Sequence, residues 1–187
     1  MTALLTYLQS IRPLPDGLPD FLHQIVQRKL LVPKAYLLRE GDVCDEVYFI
    51  QRGLLRCFAR QGRTEVCSWF MKEGDVCIAV ESWFRQVQSR ENIQALERTE
   101  VYSISWRQLQ EIYERYPAFN FTGRVLTEKY YLQSEQRLAA MRLRRSHERY
   151  RWLMESSPEL LLRVPAKHLA SYLGMSEVML SNIRSRR

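Results

Sequence analysis

Among 187 residues the chain has only three histidines, four cysteines and seven glycines, and it lacks the short signatures that mark many enzymes. It contains no glycine-rich phosphate loop, no HExxH, no G-x-S-x-G and no carboxylate pair in a recognisable setting. His23, His147 and His168 are unconnected by sequence, so no catalytic residue, metal site or cofactor is expected. A lone histidine such as His23 is more often a surface or core residue than a haem ligand. Cys44, Cys57, Cys67 and Cys77 form no CxxC pair. No apolar run reaches membrane-spanning length, and no membrane association is expected. The opening stretch, MTALLTYLQSIRPLP, lacks a basic start followed by a sustained apolar segment, so it does not read as a signal peptide. A cytoplasmic protein with reduced, mostly buried thiols is the expectation.

What the chain has is a core-forming composition and a lopsided charge. Hydrophobic residues make up 46% and charged residues 26%, within the range of globular proteins. The net charge is +7, but residues 1–123 hold 15 basic and 15 acidic residues, whereas residues 124–187 hold 13 basic and 6 acidic. All the excess lies in the C-terminal third, as a polyanion-binding segment behind a neutral one would show. An arginine-rich solvated helix is the plainer alternative.

Residues 1–31 carry helical spacing, Leu4, Leu5 and Leu8 in one segment and Phe21, Leu22, Ile25 and Val26 in another, separated by Pro13, Pro15, Gly17 and Pro19. From Tyr36 to Ile104 the pattern changes to short β-branched and aromatic runs. Strands are predicted at Tyr36–Leu38, Val47–Ile50, Leu54–Ala59, Glu65–Phe70, Val76–Ile78, Ile93–Leu96 and Val101–Ser105, with bends at Gly41, Gly53, Gly62 and Gly74. Seven short strands over this span imply an antiparallel barrel or roll. Residues 106–143 turn helical, with a break at Pro117. Val125, Leu132 and Ala139 recur every seven residues, near Phe121, Tyr131 and Leu138, which suits a helix paired with a twin. An ordinary helix lying on the roll is the alternative. A basic stretch follows at Arg142, Arg144, Arg145, Arg149 and Arg151, then a helix through Trp152, Leu153 and Met154 that Ser157-Pro158 ends.

Residues 164–187, VPAKHLASYLGMSEVMLSNIRSRR, read as a helix-turn-helix. Leu169, Ala170 and Leu173 give the first helix an apolar side, and Gly174 supplies a turn where positive φ is cheap only for glycine. Met175, Leu180 and Ile183 fall on the buried side of the second helix. Ser176, Glu177, Val178, Ser181, Asn182 and Ser185 are left outward, where such a helix meets base edges in the major groove.

This order of parts resembles the Crp/Fnr-type transcription regulators, which carry an N-terminal cyclic-nucleotide-binding-like β-roll. The segments that carry the resemblance are LLREGDVCDEVYFIQRGLLRCF (37–58), FMKEGDV (70–76), NIQALERTEVYSI (92–104) and ELLLRVPAKHLASYLGMS (159–176). It implies an α+β fold: a jelly-roll-like antiparallel β-roll flanked by helices (1–116), a long dimerisation helix (117–143) and a helix-turn-helix DNA-binding domain (144–187). It further implies double-stranded DNA, a second copy of the chain and RNA polymerase as partners, and a small-molecule effector of unknown identity.

The chain departs from that family at both functional ends. Cyclic-AMP-binding members use a Gly-Glu pair and, some ten residues on, Arg-Ser/Thr to cradle the phosphate and ribose. The corresponding positions hold Ile78, Ala79 and Ser89, so the glycine, glutamate and arginine are absent. Arg90 lies one residue away, where a slip in an extended segment reverses side-chain direction; a surface arginine is the preferred account. Binding of cyclic AMP by the family mechanism is therefore not expected, and an apolar pocket around Ile78, Ala79 and Val80 would suit another molecule. The clustered N-terminal cysteines of the iron–sulfur sensors are also missing. In the recognition helix, Val178 stands for the family's glutamate and Asn182 for its arginine. Val178 would meet a thymine methyl and Asn182 an adenine edge, while Lys167, Arg184, Arg186 and Arg187 would contact phosphates. The expected function is a homodimeric, sequence-specific regulator of transcription. The alternatives are a regulatory or scaffold protein that keeps the architecture without specific DNA reading, and a sensor of a different small molecule.

Overall fold

The computed structural model describes residues 1–185; Arg186 and Arg187, expected above to touch phosphate, lie outside the described residues. Two helices lead: α1 (Thr2–Ile11), with Leu4 and Leu8 buried one turn apart, and α2 (Leu18–Ile25), with Leu18 and Leu22 in the same relation. Eight strands and one short helix follow: β1 (Gln27–Leu31), β2 (Tyr36–Leu38), β3 (Glu46–Arg52), β4 (Leu55–Gln61), β5 (Thr64–Met71), β6 (Val76–Cys77), α3 (Val80–Arg85), β7 (Glu91–Ala95) and β8 (Thr99–Ser105). They form two four-stranded sheets, β1-β8-β3-β6 and β2-β7-β4-β5, and the paired strands run antiparallel. The expected α+β roll is what the chain adopts. Ile50, Leu55, Cys57, Ile93, Ala95 and Val101 pack between the sheets, each almost wholly buried. The four cysteines are free and buried.

The strand β1 and the helix α3 escape the sequence pattern for physical reasons. β1 reads QRKLL and is an edge strand paired only with β8; Arg28 and Lys29 reach Glu100 and Glu46, and Leu30 is exposed. Edge strands carry charge and show little alternation. The six residues of α3 are too few to display a helical period.

Six helices follow the roll among the described residues. A capping box starts α4 (Trp106–Arg115): Ser105 Oγ accepts from the Gln108 N–H at 3.2 Å, and Gln108 Oε1 accepts from the Ser105 N–H at 2.8 Å. After Pro117 runs α5 (Phe119–Met141), 23 residues and so about 35 Å long. Only Phe119, Thr122 and Ala140 of α5 are buried, whereas Phe121, Tyr131, Leu132 and Leu138 are exposed. Then come α6 (Ser146–Ser156), α7 (Leu160–Arg163), α8 (Ala166–Tyr172) and α9 (Glu177–Ser185).

The C-terminal helices do not stand apart from the roll. Leu54, Phe58, Cys67 and Phe70 of the roll share one buried apolar cluster with Leu153, Leu160, Leu169, Leu173 and Leu180. The contact covers β5, the edge strand of the second sheet, whose outward backbone groups need partners. Ser171 of α8 supplies them: its Oγ accepts from the Cys67 N–H at 3.0 Å and donates to the Glu65 carbonyl at 2.9 Å.

Between β3 and β4, Gly53 has φ +105° and donates its N–H to Glu73 Oε1 at 2.7 Å. A Cβ there would lie 2.6 Å from Thr99 Cα and 2.8 Å from the Arg98 carbonyl oxygen, both backbone. Gly62, with φ +61°, faces open space. Gly62→Ala is expected to cost about 1 kcal/mol, the left-handed penalty alone. Gly53→Ala should cost upwards of about 2 kcal/mol because strain and collision add. Urea unfolding of the two variants, compared at equal slope, checks the order.

Candidate nucleic-acid interface

The turn between α8 and α9 is built to hold a fixed angle. At the end of α8 the Met175 N–H donates to the Ala170 carbonyl at 3.0 Å and the Gly174 N–H to the Ser171 carbonyl at 3.1 Å, with Gly174 at φ +62°. This is a Schellman closure, in which glycine takes the left-handed position at no steric cost. Ser176 then caps α9, its Oγ accepting from the Met179 N–H at 3.2 Å. Leu169, Ala170, Leu173 and Leu180 are buried between the helices, and Met175 and Ile183 pack against the same cluster.

The turn is held from outside by Arg149 on α6. Its Nε donates to the Leu173 carbonyl at 2.7 Å and its Nη2 to the Gly174 carbonyl at 3.2 Å, while Nη1 takes the Leu143 carbonyl at 2.8 Å. The sequence places Arg149 in a basic run suited to phosphate; the fold spends it on backbone carbonyls. Arg163 is similarly committed, bridging Glu73 at 2.9 Å and Glu97 at 2.6 Å on two turns of the roll. Those contacts hold the Glu73 carboxyl well below its ordinary range, at about 2, against the opposing effect of burial. Lys72, just after β5, and Glu159 form a further ion pair across the same boundary.

Among the residues expected to meet DNA, Ser176, Glu177, Val178, Ser181 and Asn182 are all exposed along α9, Val178 at 70%, and Lys167 is exposed on α8. Arg184 is half-buried, and its Nη2 is buried without a hydrogen-bond partner among the described residues. The roll grips α8, so the outward side of α9 stays open to solvent.

His168 does not take the surface role that its position in the motif suggests. Arg56 of β4 is buried beneath α8. Its Nε and Nη2 donate to Gln94 Oε1 at 2.9 and 2.7 Å, and its Nη1 to Glu65 Oε2 at 2.7 Å. The same Nη1 lies 2.9 Å from His168 Nδ1, which must accept and therefore be unprotonated. No sequence signal links these residues, since Arg56 and His168 are 112 positions apart.

The five residues expected at an effector pocket in the roll differ in their surroundings. Ala79 is buried, its N–H donating to Cys44 Sγ at 3.4 Å; Ile78 packs on the core; Val80 points outward at 60% exposure; Arg90 is exposed. Ser89 is buried and bonded locally, its Oγ to the Glu91 carbonyl at 2.9 Å. Missed by the sequence reading are Ser82 and Trp83 of α3. Ser82 Oγ accepts from the Cys44 N–H at 2.8 Å and donates to the Val87 carbonyl at 2.5 Å, tying the loop shut. Trp83 sits in the inter-sheet core at 4% exposure.

Comparison with known proteins places this geometry. Residues 28–116 match the family model described as the cyclic nucleotide-binding domain. A curated relative, cyclic nucleotide-gated ion channel 1 of Arabidopsis thaliana, is 27% identical over 158 residues; the match covers 79% of this chain and 22% of that protein. The chain thus spans under a quarter of the relative's length. Among solved structures, FixK2 from Bradyrhizobium japonicum superposes with a TM-score of 0.75 at 16% identity, covering 87% of this chain and 84% of that one. CLP, the c-di-GMP responsive global regulator of Xanthomonas campestris, gives 0.72 at 16% identity, covering 92% and 91%. A protein from Eubacterium rectale assigned to the Crp/Fnr family gives 0.74 at 14% identity, covering 97% and 87%. The fold is of the Crp/Fnr type.

Burial first, and then the charge of Arg56, pull the His168 pKa below 6.5, with Glu65 acting in the opposite direction. The seated helix therefore binds fewer protons than the released one. Its stability is full above about pH 6.5 and declines as the pH falls below that value. His168→Gln, which keeps an acceptor for Arg56, should flatten the stability profile between about pH 7 and 5; an unchanged slope in that variant would contradict the assignment. In the roll, titration calorimetry with cyclic AMP and cyclic GMP is expected to show no saturable heat at micromolar concentrations.

Proposed function

We propose that the chain is a DNA-binding regulator of transcription that acts in the cytoplasm as a homodimer and does not respond to cyclic AMP through a phosphate cassette. The observation that carries this reading is α9: a helix capped by Ser176, locked by a Schellman turn and Arg149, and presenting Glu177, Val178, Ser181 and Asn182 to solvent. Such a helix has the dimensions and chemistry for the major groove.

Two further features support it. The exposed Arg142, Arg144, Arg145, Arg151 and Lys167 remain available to phosphates after Arg149 and Arg163 are committed elsewhere. On α5 the exposed Tyr131, Leu132 and Leu138, with Ala139 beside them, form an apolar strip suited to a second α5. A two-fold pair would present two reading helices to a palindromic site. Contact with RNA polymerase belongs to the same reading, and catalysis does not.

The test is selection of bound duplexes from a random pool at moderate salt. A reproducible two-fold palindrome is expected. Asn182→Ala should lose about 1–3 kcal/mol of discrimination at one position of each half-site. Lys167→Ala should weaken all sequences alike and lower the salt slope by about 1. Binding with no enriched sequence would sink this reading and favour an architectural protein that holds DNA electrostatically.

A further inference from the structure

A cavity of about 210 Å³ lies where the roll, α5 and the C-terminal helices meet. Lys72 and Asp75 from the β5–β6 turn region, Gln133 and Arg137 from α5, Trp152 from α6 and Tyr172 from α8 all line it. Its charges are unevenly matched. Lys72 is paired with Glu159, which also lines the cavity. Arg137 and Asp75, in contrast, form no ion pair among the described residues. Arg137 gives its Nη2 to two backbone carbonyls, Cys67 at 3.4 Å and Tyr172 at 3.2 Å, and its buried Nε has no hydrogen-bond partner among the described residues. Asp75 accepts a backbone N–H from Lys72 at 3.0 Å; burial raises its pKa against the opposing effect of that hydrogen bond and of the Lys129 and Lys72 charges. Aromatic rings complete the lining: Trp152 stacks near Tyr172 with centroids 6.4 Å apart, and the Arg137 guanidinium lies 4.4 Å from the centre of the Tyr172 ring.

From this arrangement we infer a site for a small zwitterion with a planar side chain, of the chemical class of an aromatic α-amino acid. Its carboxylate would meet Arg137, its ammonium Asp75, and its ring the face of Trp152. The net-neutral lining disfavours a multiply charged phosphate ligand. The volume lies below the roughly 300–1,000 Å³ of drug-sized pockets. A ligand there touches the roll, α5 and the helix-turn-helix at once, so it would bias how α8 seats on β5. The site rests on the regulator reading only for that consequence; occupancy is independent of DNA.

The probe is L-phenylalanine, followed by fluorescence excited selectively at tryptophan, since Trp69 and Trp152 both line the cavity. A saturable change with a midpoint below about 1 mM is expected. L-alanine, 3-phenylpropionate and phenethylamine each lack one of the three recognised groups and should bind about tenfold or more weakly. Arg137→Gln should lose at least about tenfold and Arg137→Lys should retain part. Because Arg137 also holds the fold together, Gln133→Phe serves as the second variant: it fills the cavity, leaves both charged groups in place, and should abolish the response. No saturation by about 10 mM, equal binding of the comparators, or wild-type binding by Gln133→Phe would overturn the site. A protein that enriches a palindrome yet ignores L-phenylalanine refutes the site alone. One that binds L-phenylalanine but enriches no sequence refutes the regulator reading and keeps the site.

Discussion

A guanidinium withdrawn from water must find acceptors for its fixed fork of donors, and Arg56 finds them on three separate pieces of chain. Gln94 on the neighbouring strand, Glu65 across the hairpin and His168 from the first motif helix surround it. Its flat face also lies 3.9 Å from the centre of the Phe58 ring, part of the cluster that runs into the C-terminal helices. Removing any acceptor would leave a buried charge short of partners, a far larger penalty than losing a surface pair. Arg56 thus helps to fix the position of α8 on the roll, and with it the direction in which α9 faces.

The seating of α8 resolves two problems at once. The edge strand β5 would otherwise expose unpaired backbone groups, and the short C-terminal helices would lack enough apolar surface to fold alone. Ser171 closes the first gap and the shared cluster around Leu169 and Phe70 closes the second. Arg163 and Arg137 then tie carboxylates and carbonyls across the boundary, while Arg149 joins α6 to the turn before α9. Part of the positive charge that marks the C-terminal third therefore serves the fold. The remainder, exposed at Arg142, Arg144 and Arg145 before α6, at Arg151 on α6 and at Lys167 on α8, is what a polyanion would meet.

In the roll the departures from the cyclic-nucleotide pattern extend beyond the missing cassette residues. The segment from Ala79 to Ser89 is closed by the hydrogen bonds of Ser82 and filled by Trp83. Among the described residues, the buried polar atoms without a partner are Gln51 Oε1 and Asn92 Nδ2 in the roll, Arg137 Nε at its junction with the C-terminal helices, and Arg184 Nη2 on α9.

The order of strands, the long helix after Pro117 and the helix-turn-helix were legible because each depends on local periodicity or on a turn residue such as Gly174. The outward positions of α9 followed from the same arithmetic, since Leu180 and Ile183 define the opposite side. β1 was hidden because edge strands are written in charges, and α3 because six residues make no period. The hydrogen bonds of Ser82 and the burial of Trp83 in the core could not be read from the sequence. Which arginines face solvent, and what His168 touches, were set by contacts across more than twenty to more than a hundred residues. A sequence pattern records what each residue requires of its surroundings, burial or water, turn or helix. Which particular partner meets that requirement is settled only when distant segments pack, because a buried charge accepts whichever acceptors the fold brings within reach.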